Sequence, residues 1–154
     1  MREPFSPASA IAVRRLEPGD HAIVMNAPGL FDPAPDPEAL RALLASPTDH
    51  LVLATVDDAP AGYARAHELR RVAAPDPNFL VTEIRVDPAL RRQGVGHALI
   101  LALKDLARAR GARSMIVVTD LAHPAPEGLY ASTGGVQAPR RNLVYEYDLT
   151  RGAR

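Results

Sequence analysis

The segment from Phe79 to Leu106 constrains the fold more than any other part of the chain. Phe79-Leu80-Val81-Thr82-Glu83-Ile84-Arg85-Val86 is rich in β-branched and apolar residues and reads as a strand. Asp87-Pro88 ends it, and Arg91-Arg92-Gln93-Gly94-Val95-Gly96-His97 follows. Val95, Leu99, Ala102, Leu103 and Leu106 then recur at helical spacing and make one apolar stripe. Gly111 stands where a left-handed glycine would end that helix. Glycines at a helix start let backbone N–H groups approach a ligand closely. Those groups lack intrahelical partners and sit at the positive end of the helix dipole. The segment therefore predicts an anion site of phosphate or pyrophosphate type at the start of a helix.

The remaining elements fit around it. Ser9 to Arg15 alternates about Ile11 and Val13 as a first strand, and Pro18-Gly19-Asp20 ends it with Asp20 as a helix N-cap. A short helix over His21 to Pro28 leads into a proline-rich connection with Asp32 and Asp36. Asp36-Pro37-Glu38 is a helix start, and that helix runs to about Ala45, burying Leu40, Leu43 and Leu44. Leu51–Val56 and Ala61–Leu69 form a hairpin about Asp57-Asp58-Ala59-Pro60. Ser114 to Thr119 is a buried strand ending at Asp120, and a short helix around Glu127 to Ser132 stops at Gly134-Gly135. Asn142 to Leu149 alternates Leu143, Tyr145, Tyr147 and Leu149 as a closing strand. The order β-α-α-β-β-β-α-β-α-β predicts one α/β (α+β) domain over residues 1–154, with a mixed central sheet flanked by helices.

Composition removes several classes. The 154 residues, 47% apolar, suit one packed core. Eighteen basic residues balance eighteen acidic ones, which argues against a nucleic-acid or membrane-surface binder. The absence of cysteine removes thiolate nucleophiles and cysteine-ligated zinc. His21, His50, His67, His97 and His123 are scattered without metal-ligand spacing, so no metal site is expected. No apolar run reaches the roughly 18 residues that span a bilayer, and no signal peptide is evident, so a cytoplasmic protein is expected.

The glycine loop admits three nucleotide-binding readings. A Walker loop fails because His97-Ala98 follows Gly96. The dinucleotide fingerprint wants a third small residue where Leu99 stands, and an acidic ribose ligand for which Asp120 is a weak candidate. Gln/Arg-x-x-Gly-x-Gly/Ala, the pyrophosphate loop of the GNAT acetyltransferases, is matched in full from Arg91 to Gly96. From about Leu43 to Leu149 the chain resembles that superfamily. Gly128-Leu129-Tyr130 with Gly134-Gly135 is similar to its later Tyr-x-x-x-Gly segment. Leu44-Ala45-Ser46-Pro47-Thr48, Pro75, Glu83, Arg91-Arg92-Gln93-Gly94 and Asp120 resemble the aminoglycoside 3-N-acetyltransferases of the superfamily.

The resemblance implies an acetyl-CoA-dependent N-acetyltransferase. The pantetheine arm of coenzyme A would pair with main-chain groups near Ile84, Arg85 and Val86. Arg91, Arg92, Gln93, Gly94, Val95, Gly96 and His97 would form the pyrophosphate loop, amides from Arg92 onward holding the phosphates. The glutamate and Asp120 strands would be parallel neighbours that splay apart. His123 stands where many members carry a cofactor-contacting asparagine, and the helical region before Asp36 is short.

Moving an acetyl group from a thioester to an amine needs a neutral amine in line, a stabilised oxyanion and a proton for the departing thiolate. Glu83 is the candidate to receive the amine proton or bind an ammonium; its plain alternative is a strand residue facing solvent. Asp120 would add a second carboxylate, or simply cap a turn. Tyr130 is the candidate proton donor and cofactor contact, or a helix residue packed on the last strand. Arg65, Arg70, Arg71, Arg140 and Arg141 read as solvated surface charge. The expected acceptor is a small cationic amine such as an aminoglycoside. Alternatives are a protein or peptide amine, or a non-catalytic acyl-CoA-binding module. Homodimerisation is common among proteins of this resemblance.

Overall fold

The computed structural model describes residues 9–119, 128–138 and 145–150. In chain order its elements are β1 (Ile11–Arg15), α1 (His21–Met25), α2 (Pro37–Ala45), β2 (Asp49–Val56), β3 (Ala59–Leu69), β4 (Asn78–Val86), α3 (Val95–Ala109), β5 (Ser114–Val117) and α4 (Leu129–Ser132), with a 3-10 turn at Pro88–Leu90. The five strands lie in the order β1-β2-β3-β4-β5. All pairs are antiparallel except β4 with β5, so the sheet is mixed, as expected. The parallel pair requires a crossover, which α3 supplies.

Both faces of the sheet are covered, and strand alternation decides which residue goes where. On β2, Val52 and Ala54 join a core with Phe79, Val81, Val95, Leu99 and Leu103 of β4 and α3. Leu51 and Leu53 join Leu16, Val24, Leu40, Leu44 and Tyr63 under α1 and α2. On β3, the small Ala61, Ala64 and Ala66 face α3 and let the helix lie close. Gly62 goes further: a Cβ there would lie 2.7 Å from the Arg85 carbonyl oxygen and 3.0 Å from Val95. Any side chain at that position would push β4 or α3 away.

Several expectations change in detail. Asp20 takes the N-cap position of α1, but its side chain makes no cap bond. Its carboxylate instead receives Arg14 at 2.9 Å and the Glu17 N–H at 2.8 Å, two donors that outcompete the helix amides. Asp36 does cap α2, accepting the Ala39 N–H at 2.8 Å. The hairpin turn is the two residues Asp57-Asp58, both at positive φ, and β3 already begins at Ala59. On α3, Val95, Leu99 and Leu103 are buried as expected and Leu106 packs against the same core half-buried, while Ile100 and Ala107 are buried as well.

β5 is shorter and more open than its sequence suggests. It ends at Val117, and Ile116 and Val118 are exposed because β5 pairs only with β4 among the described residues. The closing strand is not seen in its described part. Tyr145, Tyr147 and Leu149 belong to no strand and are exposed, since an alternating segment is a strand only where an edge receives it. Residues 142–144 lie outside the described residues.

Candidate active site

The start of α3 has the form that an anion site needs. Gly94 sits at its N-cap with φ 89°, a backbone state that a side chain would strain, and Arg92 has φ 62°. The Ala98 N–H bonds to the Gly94 carbonyl at 3.0 Å, which leaves the N–H groups of Val95, Gly96 and His97 without intrahelical acceptors. A methyl at Gly96 would make only ordinary contacts with Leu129 at 3.5 Å and Val86 at 3.8 Å. The loop pattern, which admits Gly or Ala at that position, agrees.

Next to this loop, β4 and β5 part. Their pairing runs from Asn78↔Ser114 to Val81↔Val117, while β4 continues to Val86. Its last five residues, Ile84, Arg85 and Val86 among them, therefore have a strand neighbour on the β3 side alone among the described residues. The free edge offers main-chain donors and acceptors beside the α3 N-terminus, and an extended amide-bearing chain fits there. These features suit the pantetheine and pyrophosphate of coenzyme A.

A register shift in β4 decides where Glu83 points. Ala66 pairs with Val81 and Arg65 with Glu83, so Thr82 is an extra residue on β4. Before this bulge, Phe79 and Val81 pack into the α3 core; after it, Ile84 and Val86 do. Without the extra residue, strict alternation would put Glu83 into the core behind Val81. The bulge turns it to the α1–α2 face instead.

There Glu83 meets Tyr63. The Tyr63 hydroxyl donates to Glu83 Oε1 at 2.5 Å, and Arg85 Nε lies 3.4 Å from the same oxygen. Burial, helped by the Glu83 hydrogen bond, pushes the Tyr63 hydroxyl above the ordinary phenol range, so it stays a donor. The Tyr63 ring stacks on Phe31 with centroids 4.1 Å apart. Phe31, Tyr63 and Glu83 line a cavity of about 640 Å3 whose other walls include Asp32, Pro33, Asp36, Leu40, Asp49 and Arg65. Asp49 receives His67 Nδ1 at 2.5 Å and lies 3.7 Å from Arg65. Burial raises the Asp49 pKa, but Ser46, His67 and Arg65 outweigh it, and the carboxyl is held below its usual range.

Tyr130 lies on the opposite face. It lines a second cavity, of about 730 Å3, with Lys104 and Ile100 of α3 and Met115 and Val117 of β5. Lys104 donates to the Thr133 carbonyl at 2.6 Å and ties the end of α4 to α3. Glu83 and Tyr130 thus line different cavities, one on each side of the sheet, and the β4–β5 opening lies between these faces. Asp120 and His123 lie outside the described residues, as do Arg140 and Arg141. Among the described residues no group of three or more His, Asp or Glu side chains could hold a metal ion, and no helix is long and apolar enough to cross a membrane.

Sequence reasoning missed Tyr63, Phe31 and Asp49. It also placed Arg65 in solvent, whereas Arg65 lines the cavity and its Nε is buried without a partner among the described residues. The available signal was the alternation of β3: Tyr63, Arg65 and His67 are large or polar, while Ala64 and Ala66 between them are small.

Comparison with known proteins shows the family. Residues 21–134 match the acetyltransferase (GNAT) family. The N-alpha-acetyltransferase RimI of Mycobacterium tuberculosis (strain ATCC 25618 / H37Rv) is 37% identical over 114 residues, which are 74% of this chain and 68% of RimI. An aminoglycoside acetyltransferase, meta-AAC0020 from an uncultured soil metagenomic sample, was solved in complex with sisomicin. It superposes with a TM-score of 0.80 at 22% identity, covering 90% of this chain and 96% of its own. AAC(6')-Iy in complex with a bisubstrate analogue of CoA and acetylneamine superposes at 0.73 and 21% identity, covering 91% and 99%. At such identities the superpositions show a shared fold. The strand, glycine loop and helix, the parted β4 and β5, and the family match lead to one conclusion: the chain belongs to the acetyltransferase (GNAT) family and is an acetyltransferase that uses acetyl-CoA.

Proposed function

We propose that the protein acetylates a primary amine of a small polycationic acceptor, with the 3-amino group of an aminoglycoside as the preferred target. The observation that carries this reading is the charge of the cavity at Glu83: among the described residues its walls hold Asp32, Asp36, Asp49 and Glu83 against one cationic side chain, Arg65. Such walls attract an acceptor bearing several ammonium groups and favour its charged form. Sisomicin bound to a protein of this fold supports the same class.

In this reading acetyl-CoA, when bound, supplies a thioester acetyl group beside the β4 edge. The amides of residues 92–97 would hold its pyrophosphate, and the edge of Ile84, Arg85 and Val86 would orient its arm. Glu83 takes the proton that the acceptor ammonium must lose before its nitrogen can form the new C–N bond. Tyr130, by the family resemblance, would hold the proton that the departing thiolate sulfur takes up. Asp120 adds a further carboxylate for the acceptor, a role that rests on the family resemblance.

A second acceptor class, the N-terminal amine of a protein, is favoured by the RimI relative at 37% identity. One experiment separates the two: thiol release from acetyl-CoA with sisomicin, spermidine and short peptides bearing free N-termini. We expect kcat/KM to be highest for sisomicin, with mass spectrometry and NMR of the product locating the acetyl group on the 3-amino nitrogen. Turnover confined to the peptides would replace this reading with the second.

A further inference from the structure

We propose that Tyr63 is a positioning residue for acetyl transfer: its hydroxyl fixes one carboxylate oxygen of Glu83 so that the other oxygen meets the acceptor amine. This inference rests on the proposed role of Glu83.

The geometry assigns different work to the two oxygens. Oε1 receives Tyr63 at 2.5 Å and has Arg85 Nε at 3.4 Å, while Oε2 has no hydrogen-bond partner among the described residues. A glutamate has three rotatable side-chain bonds, and Glu83 is only partly buried, with 38% of its side chain exposed. Left alone it would sample several rotamers. Proton transfer needs a donor and acceptor held within hydrogen-bond reach, so a fixed carboxylate contributes directly to rate.

Tyr63 is itself well held. It is 4% exposed, packs in the α1–α2 core and stacks on Phe31. A phenylalanine would fill the same wall. The hydroxyl is therefore surplus to packing, and a buried hydroxyl is costly unless it is bonded; its partner is the one carboxylate that the β4 bulge turns to this face. Because Phe31 and Tyr63 also line the acceptor cavity, an acceptor filling it would touch the group that orients the base.

The test is a double-mutant cycle of Tyr63→Phe and Glu83→Ala, measured as thiol release with sisomicin and acetyl-CoA. Tyr63→Phe should lower kcat about 10- to 100-fold with the KM for acetyl-CoA unchanged. In the Glu83→Ala background the same change should alter kcat less than about twofold, since no carboxylate remains to be held. Equal losses in both backgrounds would show a structural role and overturn the inference, as would an unchanged kcat in the single variant. A Glu83→Ala enzyme of unimpaired rate would instead overturn the role of Glu83 itself. If sisomicin is not turned over, crystal structures of the wild type and Tyr63→Phe decide. One Glu83 rotamer in the first and several in the second support the inference; the same single rotamer in both refutes it.

Discussion

The two faces of the sheet are built from alternate residues of the same strands, yet they do different work. Toward α3, β3 presents Ala61, Ala64 and Ala66, and the helix seats Val95, Leu99 and Leu103 against them. Toward α1 and α2 the same strand presents Tyr63 and Arg65, which with Phe31 and Asp49 line a cavity instead of filling it. Between β3 and α3 the packing is close and holds the helix whose N-terminus suits a pyrophosphate. On the other face a packed core that includes Leu16, Val24, Leu44 and Leu53 borders a charged cavity. A single extra residue, Thr82, assigns Glu83 to the second face. Substitutions in the α3 core should therefore act on stability, and those at the Glu83 cavity on the proposed acceptor chemistry.

The largest stability effect belongs to the α3 core. Leu103 is fully buried between α3 and the sheet. Leu103→Ala should destabilise the protein by about 2–5 kcal/mol, read by urea denaturation. The KM for the acceptor should stay near wild type wherever the variant remains folded. A Leu103→Ala protein of unchanged stability would break the division between the faces.

A smaller effect sharpens it, because the α3 face contains a fully buried histidine. His50 is fully buried, stacks on Phe79 at 5.2 Å, and its Nε2 lies 2.7 Å from Glu68 Oε1. Arg110 Nε also reaches Glu68, at 2.5 Å, and Arg15 and Arg110 oppose a charge on the ring. Burial holds the His50 pKa below its ordinary 6.5 despite Glu68. The unfolded chain thus takes up a proton near pH 6.5 that the folded protein refuses, and stability falls as the pH drops below that value. It levels off once the pH passes below the folded-state pKa. Glu68, whose carboxyl is held below 4.5 because Arg110 and His50 outweigh its burial, adds a further loss at lower pH. The Tm should accordingly be lower at pH 5.5 than at pH 7.5, and His50→Gln should reduce that difference. A Tm independent of pH across this range would contradict the buried neutral histidine.

Much of the scaffold was legible in the sequence. The α3 stripe, the glycine loop, the Asp36 cap and the β2–β3 hairpin follow from local rules of spacing and turn chemistry. The acceptor face was legible only in part. Glu83 was identified through family likeness, while its direction depends on a bulge that pairing with β3 creates and no local pattern announces. Phe31 and Asp32 of the α1–α2 connection, Asp49 of β2 and Glu83 of β4 are far apart in sequence and meet only in three dimensions. Alternation alone placed a strand at the C-terminus, but its described part forms no strand, and Tyr145, Tyr147 and Leu149 are exposed.

The most direct test of the central claim, that the bulge presents Glu83 to the acceptor as the proton-accepting group, is the rate of Glu83→Gln. Glutamine keeps the size of the side chain and removes its basicity. The account predicts a kcat/KM for the aminoglycoside lower by about 100- to 10,000-fold, with the Tm and the affinity for acetyl-CoA close to wild type. A rate within a few-fold of wild type would contradict it and leave Glu83 as an ordinary residue of the cavity wall.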